Sequence, residues 1–314
     1  MSKNHFVGLD CGASKILYQK ASFNFDLDLV IPSGNSIERL YSNNKNWIES
    51  FEPVSIQTQL KQFSKNVIVI TSEEESQGKV IIEEIKKLLA LTDQNNSSIC
   101  FPGLKSNEGV CVMKNGPRIP FFKKKLNLNQ HIFNDSDCCT IGEWKSSIGC
   151  MINIKNAIYI GGGTGIADGI IMNGKILNFN DNSDLKRSWE MGFNDSTIES
   201  QISPGGMIKT LNTKFNKNIK NLDEFLESKE SLTILKNASK ALSSLIQSRT
   251  NFFRLNGLEP EIVVIGQRLG LFLSELKDEI QEMFYQSSKI PLKFSTDRRT
   301  AALGAIYKMI KYQK

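Results

Sequence analysis

Three parts of the sequence carry residues whose types and spacing could hold a phosphate or move a proton. The clearest is the run Gly-Gly-Gly-Thr-Gly at 161–165, which follows a short apolar segment. Glycines let the backbone N–H groups of a turn approach an anion closely. A second apolar segment and the pair Asn173-Gly174 come next, and this pair favours a type I′ turn. The pattern predicts a hairpin that clamps a phosphate, with a flexible tight turn as the alternative.

Other phosphate-binding loops do not fit this sequence. A Walker A loop requires Lys and then Ser or Thr directly after its last glycine. A Rossmann fingerprint leads into a helix, whereas the glycine run here leads into an apolar strand. A protein-kinase glycine loop is accompanied by H-R-D and D-F-G elements, which the sequence lacks. A hairpin clamp for a nucleotide is the interpretation that remains.

Asp10 is the second candidate, because it ends an apolar strand-like segment and is followed by Gly12 and Ser14. An acid at the end of a buried strand is costly unless it binds something. We interpret it as a ligand that holds Mg²⁺ through water near the phosphates of a nucleotide. The alternative is an aspartate that caps a turn. The recurrence of strand, turn and strand at 157–177 favours the binding role.

Asp135 is the third candidate, within the polar cluster Asn-Asp-Ser-Asp at 134–137. Such a cluster predicts the start of a helix, here one that extends to about residue 148. The positive end of the helix dipole keeps a carboxylate ionised. Asp135 could then accept the proton of a hydroxyl that attacks a phosphoryl group. A plain helix cap is the alternative for Asp135.

Alternating strands and helices must position these residues, and this alternation predicts an α/β fold. The spacing of the apolar residues and the lengths of the apolar segments predict strands at 6–10, 67–70, 99–101, 157–160 and 261–265. They predict helices at 73–91, 232–255 and 300–314.

Composition excludes several classes of protein. The chain has 314 residues, six cysteines without a C-x-x-C pair and two histidines. It therefore offers neither a zinc pattern nor the histidines of a Ser-His-Asp hydrolase, and reduced thiols favour the cytoplasm. No apolar run is long enough to span a membrane. The net charge of +6 is spread out, and we interpret the dense run at 123–125 as a solvated loop rather than a nucleic-acid site.

Eight segments, taken in order, resemble motifs of the ROK family of sugar kinases and the related bacterial glucokinases, within the actin/Hsp70/hexokinase superfamily. They are GLDCGASK (8–15), ICFPG (99–103), NDSDCCTIGEWKSSIG (134–149), GGGTGIADGIIMNGKI (161–176), WEMGF (189–193), ESQISPGGMI (199–208), VVIGQRLG (263–270) and AALGA (301–305). The resemblance covers nearly the whole chain.

This resemblance implies an α/β, two-domain actin-like ATPase (ribonuclease H-like) fold with a cleft between the domains. The N-terminal domain, residues 1–117, would carry the phosphate-1 hairpin. The larger C-terminal domain, residues 118–314, would carry the phosphate-2 hairpin, with the terminal helix 298–314 packing back on the first domain. The implied activity is the ATP-dependent phosphorylation of a hexose or hexose-derivative hydroxyl, with Mg²⁺ as cofactor.

The resemblance also implies roles for single residues. Asp135 would be the general base. The sugar hydroxyls would be bound by Asn134, Glu190 and Glu199. The phosphates of ATP would face Asp10, Gly12, Ser14, Lys15, Gly163, Thr164 and Gly165, and Gly266 would lie near the adenine. Asp10 would hold Mg²⁺ through water. The implied partners are a small-molecule sugar and a nucleotide, with no nucleic acid and no membrane, and a homodimer is left open.

The sequence departs from the family pattern at four places. Phe193 stands where the family has a histidine, which removes a sugar hydrogen bond and a zinc ligand, and the cysteine-rich zinc loop is missing. The Asn-x-Pro near the sugar is Arg-Ile-Pro at 118–120, and the adenosine-side glycines are reduced to Gly266 before Gln267. The phosphoryl donor, ATP or polyphosphate, and the identity of the sugar stay open.

Two alternatives keep the fold and change the function. One is a non-catalytic sugar or nucleotide sensor, like the repressor branch of the family. The helix-turn-helix of those repressors precedes the first strand, and that strand begins here at Phe6, which argues against a DNA-binding repressor. The other alternative is an ATPase like the acyl-CoA reductase activators. The spacing of the cysteines does not offer the iron–sulfur cluster of those proteins.

Overall fold

The computed structural model describes residues 5–106, 109–128, 131–182 and 184–312. The chain forms two compact units, each described below by itself. Unit 1 comprises Met1–Ser147 and Arg299–Lys314, and unit 2 comprises Ile148–Arg298. The division falls after Ser147, whereas the sequence led us to expect it after residue 117. The intervening segment belongs to unit 1 because it adds a strand to the sheet of that unit.

Unit 1 is built on a five-stranded sheet with the order β3-β2-β1-β4-β8. Its strands are β1 (His5–Cys11), β2 (Lys15–Asn24), β3 (Leu29–Leu40), β4 (Ser97–Phe101), β5 (Leu104–Ser106), β6 (Gly109–Val112), β7 (Ile119–Pro120) and β8 (Ile132–Asn134). Strands β5, β6 and β7 form a separate small sheet. Strands β1, β4 and β8 run parallel, so their carboxyl ends meet at one edge. That edge is where the polar candidates of unit 1 lie.

The helices of unit 1 begin with α1 (Ile56–Ser64), α2 (Ser72–Leu89), α3 (Phe122–Leu126) and α4 (Asp135–Lys145). Helix α2 confirms the helix predicted at 73–91 and starts in a capping box formed by Thr71 and Glu74. The lysine run at 123–125, expected in a loop, lies in α3. Helix α4 ends at Lys145, somewhat earlier than expected.

The strand predicted at 67–70 is wrong. Those residues form a connection in which Val67 and Val69 are exposed. The backbone N–H of Val69 donates to the Gln62 side chain at 3.1 Å, and the Val69 carbonyl accepts from Arg118 at 2.9 Å. Because side chains satisfy these backbone groups, the segment needs no neighbouring strand.

Unit 2 contains a second five-stranded sheet with the order β11-β10-β9-β14-β15. The strands of unit 2 are β9 (Ala157–Gly162), β10 (Ile166–Met172), β11 (Lys175–Ile176), β12 (Gly192–Phe193), β13 (Ser196–Thr197), β14 (Ile262–Gly266) and β15 (Leu292–Phe294). Strands β12 and β13 form a separate two-stranded sheet. Asn173 and Gly174 both have positive φ angles, 50° and 68°, as the predicted type I′ turn requires. The strands predicted at 157–160 and 261–265 are confirmed as β9 and β14.

The helices of unit 2 pack on this sheet around an apolar core. They are α5 (Ile198–Ile202), α6 (Pro204–Phe215), α7 (Leu222–Glu227), α8 (Ser231–Leu255), α9 (Gln267–Ser274) and α10 (Asp278–Tyr285). Helix α8 confirms the long helix predicted at 232–255, and its apolar stripe lies in the core. In the part of the chain that the structure describes, no helix is long and apolar enough to cross a membrane.

The last helix, α11 (Thr300–Tyr312), returns to unit 1 and packs on α4 and β1. Three glycines permit this close approach. A methyl group on Gly304 would lie 1.9 Å from the carbonyl oxygen of Cys138, and one on Gly142 would lie 1.8 Å from that of Thr300. One on Gly8 would lie 2.0 Å from the carbonyl oxygen of Ala302. Gly8, Gly142 and Gly304 thus allow α11 to pack closely against β1 and α4.

Candidate functional site

The structure brings Asp10 and the pair Asn134-Asp135 to the same edge of the sheet of unit 1. Asp10 lies near the carboxyl end of β1 and pairs with Cys100 of β4. Asn134 ends β8 and pairs with Phe101, the next residue of β4. Neighbouring strands are about 4.8 Å apart, so roughly 10 Å separates Asp10 from Asn134. Two candidates chosen independently from the sequence therefore share one edge.

Asn134, rather than Asp135, caps helix α4. The side-chain oxygen of Asn134 accepts from the backbone N–H groups of Ser136 at 3.1 Å and Asp137 at 3.5 Å. Asp135 is the first helical residue, and its Oδ1 accepts from the N–H of Ser136 at 2.8 Å. The alternative of a plain helix cap therefore does not describe Asp135. The amide N–H groups of Asn134 donate to none of the residues that the structure describes, so they can face a substrate hydroxyl.

Burial raises the pKa of the Asp135 carboxyl above its usual range. The ammonium of Lys105 and the backbone N–H of Ser136 oppose this rise, while the nearby Asp137 adds to it. A carboxylate with a raised pKa is a stronger base than an ordinary aspartate. This environment therefore suits a proton acceptor.

Lys105 is a residue that the sequence analysis missed. Its Nζ donates to the carbonyl oxygens of Phe101 at 2.6 Å and Gly103 at 2.8 Å. Burial lowers the pKa of its ammonium, and the charge of Asp135 opposes that change. The signal in the sequence is a lysine directly beyond an apolar strand and a Pro-Gly turn, in ICFPGLK. Only the strand order shows that this lysine shares an edge with Asp135.

The turn between β1 and β2 is the predicted phosphate-1 hairpin. The N–H of Gly12 donates to the carbonyl of Lys15 at 2.9 Å, which closes the turn, and Ser14 is exposed. The thiol of Cys100 donates to Oδ1 of Asp10 at 3.6 Å. The Lys15 ammonium donates to Glu38 on β3 at 2.5 Å. The hairpin thus presents backbone and a hydroxyl, and its lysine is held toward β3.

The donor set of Asp10 fits a magnesium ion held through water. Asp10 is half-buried at a strand end, and Mg²⁺ commonly keeps several waters and takes only one or two carboxylates. Among residues 5–106, 109–128, 131–182 and 184–312, no group of three or more His, Cys, Asp or Glu side chains is arranged to hold a metal ion.

In unit 2, the predicted phosphate-2 residues form the tip of the β9–β10 hairpin. The N–H of Gly163 donates to the carbonyl of Gly165 at 3.0 Å, and Thr164 is exposed. A methyl group on Gly163 would meet nothing within 4 Å, so this glycine faces open space. Gly205 at the start of α6 lies beside the tip, because a methyl group on it would be 3.5 Å from the carbonyl oxygen of Thr164. An accessible glycine tip beside the N-terminus of a twelve-residue helix is suited to an anion.

Gly161 and Gly266 serve packing. The two pair in register across β9 and β14. A methyl group on Gly161 would lie 2.2 Å from the hydroxyl oxygen of the fully buried Tyr159, and one on Gly266 would lie 2.8 Å from its ring. Gln267 follows with a φ of 57°, a conformation that favours glycine. The backbone after β14 therefore keeps a glycine-like turn although the second glycine of the family pattern is absent.

The two predicted sugar carboxylates have different surroundings. Glu199 is buried, and its Oε2 accepts from the backbone N–H of Ile166 at 3.0 Å, beside the glycine tip. Glu190 is exposed, and its Oε2 accepts from the N–H of Arg187 at 2.7 Å. The N–H of Glu199 donates to the carbonyl of Ser188 at 3.2 Å, so the segments that carry the two acids touch. Phe193 packs on the core of unit 2.

Two buried ion pairs also went unnoticed in the sequence. Arg249 of α8 donates to Oδ2 of Asp168 at 3.1 Å and 2.6 Å, and Asp168 lies on β10 of the predicted phosphate-2 hairpin. Arg118, in the Arg-Ile-Pro segment, donates to Glu74 at 2.9 Å and 2.7 Å. Both arginines are almost fully buried. The position of the family's Asn-x-Pro is therefore occupied here by a structural arginine.

Solved structures with the same fold cover nearly the whole chain. A ROK hexokinase from Thermus thermophilus matches with a TM-score of 0.62 at 13% identity, over 98% of this chain and 99% of that chain. A ROK family glucokinase from Streptomyces griseus, in complex with glucose and AMPPNP, matches with a TM-score of 0.61 at 12% identity, over the same shares. A ROK family transcriptional regulator matches with a TM-score of 0.59 at 12% identity, over 98% of this chain and 78% of that chain.

These matches confirm the predicted resemblance at the level of the fold. The chain has the mixed α/β, actin-like ATPase fold of the ROK sugar kinases. No protein-family model matches the chain, and no curated protein matches it either. At identities of 12–13%, the structural match establishes the fold alone, and the function has to be argued from the site.

Proposed function

We propose that this protein transfers the γ-phosphoryl group of ATP to a hydroxyl of a hexose or hexose derivative. The observation that carries the proposal is the placement of Asp10 and Asp135 at one edge of a parallel sheet, with Asn134 as the cap of α4. That arrangement supplies one carboxylate for the phosphate side and one for the hydroxyl side. The matched hexokinase and the glucose- and AMPPNP-bound glucokinase support the same class of reaction.

In this mechanism Asp135 accepts the proton of the attacking hydroxyl. Its half-buried carboxylate has a raised pKa, which suits a base, and its Oδ1 is held by the N–H of Ser136. The amide N–H groups of Asn134, which donate to no residue in the described part of the chain, orient the same hydroxyl. A single positioned base contributes about 10² to 10⁴ in rate, so most of the catalysis comes from positioning and charge neutralisation.

The phosphates of ATP are held by backbone N–H groups in this proposal. The turn at Gly12 and the open tip at 163–165 are the two segments that offer them, with the start of α6 beside the second. Asp10 would hold Mg²⁺ through water, and the ion would supply positive charge that neutralises the phosphates. Glu190 and Glu199 bind sugar hydroxyls, and Gly266 lies on the adenosine side. The cysteines are all free thiols, as suits the cytoplasm, where ATP is available.

The decisive experiment supplies Mg-ATP and a panel of hexoses, N-acetylhexosamines and other sugars, and detects ADP release with a coupled assay. We expect turnover with at least one sugar. Asp135→Asn should lower that turnover by about 10²- to 10⁴-fold and keep the affinity for AMPPNP, measured by calorimetry. Asp137→Asn, a matched change on the same helix, should retain most of the activity. Near-normal turnover by Asp135→Asn would refute the role of the base.

A sensor without catalysis is the second candidate, and the packing of Phe193 favours it. This phenylalanine fills the position of a sugar-binding histidine and lies against the core of unit 2. A transcriptional regulator shares the fold. Measurable AMPPNP or sugar affinity with no ADP release across the panel would support the sensor. The same panel run with polyphosphate in place of ATP separates a sensor from a kinase that uses another donor.

A further inference from the structure

Lys105 is fixed at the same sheet edge as Asp135 without being paired to it. Its Nζ donates two hydrogen bonds to backbone, to the carbonyl oxygens of Phe101 and Gly103 at 2.6 Å and 2.8 Å. Phe101 is the residue of β4 that pairs with Asn134, immediately before Asp135. The ammonium is therefore tied to the strand end next to the candidate base. A lysine held by two carbonyls keeps its charge in one place, unlike a flexible surface lysine.

The other charges and titratable groups around Asp135 come from four elements. On α4 itself the charged group is Asp137, and the thiols of Cys138 on α4 and Cys100 on β4 lie near Lys105. On β1, Asp10 lies beside Cys100. On α11, Lys308 donates to Asp137 at 3.1 Å and so compensates that carboxylate. Of the two cations, Lys308 is therefore paired with Asp137, and Lys105 is the one whose charge acts on Asp135 among the described residues.

We propose that Lys105 is a positioning residue whose fixed ammonium keeps Asp135 in the carboxylate form that can accept the hydroxyl proton. The inference rests on the proposed function, because it assigns Lys105 a role through the candidate base. Burial alone disfavours the carboxylate, and the opposing charge of Lys105 offsets part of that cost. The site thereby obtains a base that is stronger than a solvent-exposed aspartate and is nevertheless ionised.

The alternative is that Lys105 only closes the turn after β4. The two roles differ in their dependence on charge. Lys105→Gln keeps a side chain that can donate to backbone carbonyls and loses the charge, whereas Lys105→Arg keeps the charge. If Lys105 only closes the turn, the loss of its charge should leave the titration of Asp135 unchanged. If its charge acts on Asp135, Lys105→Gln should shift that titration and Lys105→Arg should not.

The test measures Asp135 directly and through turnover. The carboxyl of Asp135 is titrated by carbon-13 NMR in the full chain and assigned by its loss in Asp135→Asn, and kcat/KM for the best sugar is followed against pH. In Lys105→Gln and Lys105→Met we expect the midpoint of the acid limb of the kcat/KM profile and the titration midpoint of the Asp135 carboxyl to rise by about one pH unit. That shift lowers kcat/KM about tenfold on the acid side. Lys105→Arg should restore the wild-type midpoint.

The exposed lysine variant Lys124→Met is the matched control and should leave both midpoints unchanged. An unchanged titration of Asp135 in a folded Lys105→Gln or Lys105→Met would overturn the inference, whatever the activity. A shifted titration together with no turnover on any sugar would support the action of Lys105 on Asp135 and contradict the proposed kinase. The two proposals therefore fail by different observations.

Discussion

Asn134 caps helix α4 and so leaves the adjacent Asp135 carboxylate without a capping role. The Asn134 side chain accepts the N–H groups of Ser136 and Asp137, which a helix start must satisfy. Burial of the Asp135 carboxylate therefore costs free energy of folding, and no helix-capping bond offsets that cost. Asp135 should therefore lower the stability of the folded protein while it serves the chemistry.

Asp135→Asn should raise the stability of the folded protein at neutral pH while it slows phosphoryl transfer by about 10²- to 10⁴-fold. Burial raises the folded-state pKa of Asp135 above the unfolded value of about 3.9, so the folded state binds the proton more tightly. Stability then falls as the pH rises from the unfolded value to the folded one, and the cost is constant above that window. The variant escapes this cost. Urea unfolding should show a higher free energy of unfolding for the variant than for the wild type at pH 7, and no such difference at pH 3.5.

A gain of equal size at both pH values would contradict this account. It would show that a change in packing, rather than the ionisation of Asp135, separates the variant from the wild type. Far-UV circular dichroism of both proteins at both pH values controls for acid unfolding.

The contact between α4 and α11 gives a second prediction. Gly304 faces the carbonyl of Cys138 with no room for a methyl group, and Gly142 faces that of Thr300. Gly304→Ala and Gly142→Ala should each destabilise the protein by about 1–3 kcal/mol, because the helices must separate. Gly192→Ala is the control, since a methyl group there meets nothing within 4 Å. Denaturant unfolding measures all three, and a loss in Gly192→Ala as large as in Gly304→Ala would refute the packing argument.

The sequence predicts the candidate residues of unit 1 better than it predicts their surroundings. Asp10 and Asp135 were found because each follows or starts a regular element with a recognisable pattern. Lys105 was missed because its proximity to Asp135 depends on β4 lying between β1 and β8. Strand order is a long-range property, and local periodicity carries no information about it.

Two further differences have local causes. The run Val-Ile-Val-Ile at 67–70 has strong β propensity, yet side chains of Gln62 and Arg118 satisfy its backbone and leave it outside any sheet. Gly161 and Gly266 were assigned to the phosphate and nucleotide side from their motifs, and the structure adds a packing reason, the ring of Tyr159. How the hairpins of the two units face each other stays a prediction, as does the cleft.

The buried pair Arg249–Asp168 should be essential for the stability of unit 2. Both side chains are about 1% exposed, and Arg249 also donates to the carbonyl of Lys186 at 2.7 Å. Arg249→Met leaves the charge of Asp168 buried without its partner, which costs about 3–5 kcal/mol. The double variant Arg249→Met/Asp168→Leu should recover much of that loss, because no uncompensated charge remains.

The exposed pair Arg254–Glu259 is the matched control for Arg249. It has a similar hydrogen bond of 2.8 Å, but its side chains are 54% and 61% exposed. Arg254→Met should therefore change the denaturation midpoint very little, because water and salt already screen this pair. Equal losses in the two single variants would show that burial does not decide the contribution of an ion pair here.

Asp28 should make unit 1 sensitive to acid. Burial alone would raise its pKa, but hydrogen bonds from Lys145, Lys311 and Tyr307 lower it to about 2. These bonds tie the turn between β2 and β3 to α4 and α11. Because the folded pKa is below the unfolded value of about 3.9, the stabilisation is complete above pH 4 and is lost as the pH falls toward 2.

Asp28→Asn removes this contribution and keeps the residue's φ of 53°, which asparagine also adopts readily. We expect the variant to be less stable than the wild type at pH 6, with the difference shrinking between pH 4 and pH 2. Thermal unfolding at several pH values measures this. Asp26→Asn, a nearby exposed change without an ion pair among the described residues, should show no such pH-dependent difference. A difference for Asp28→Asn that stays constant down to pH 2 would mean that geometry, and not charge, sets the role of Asp28.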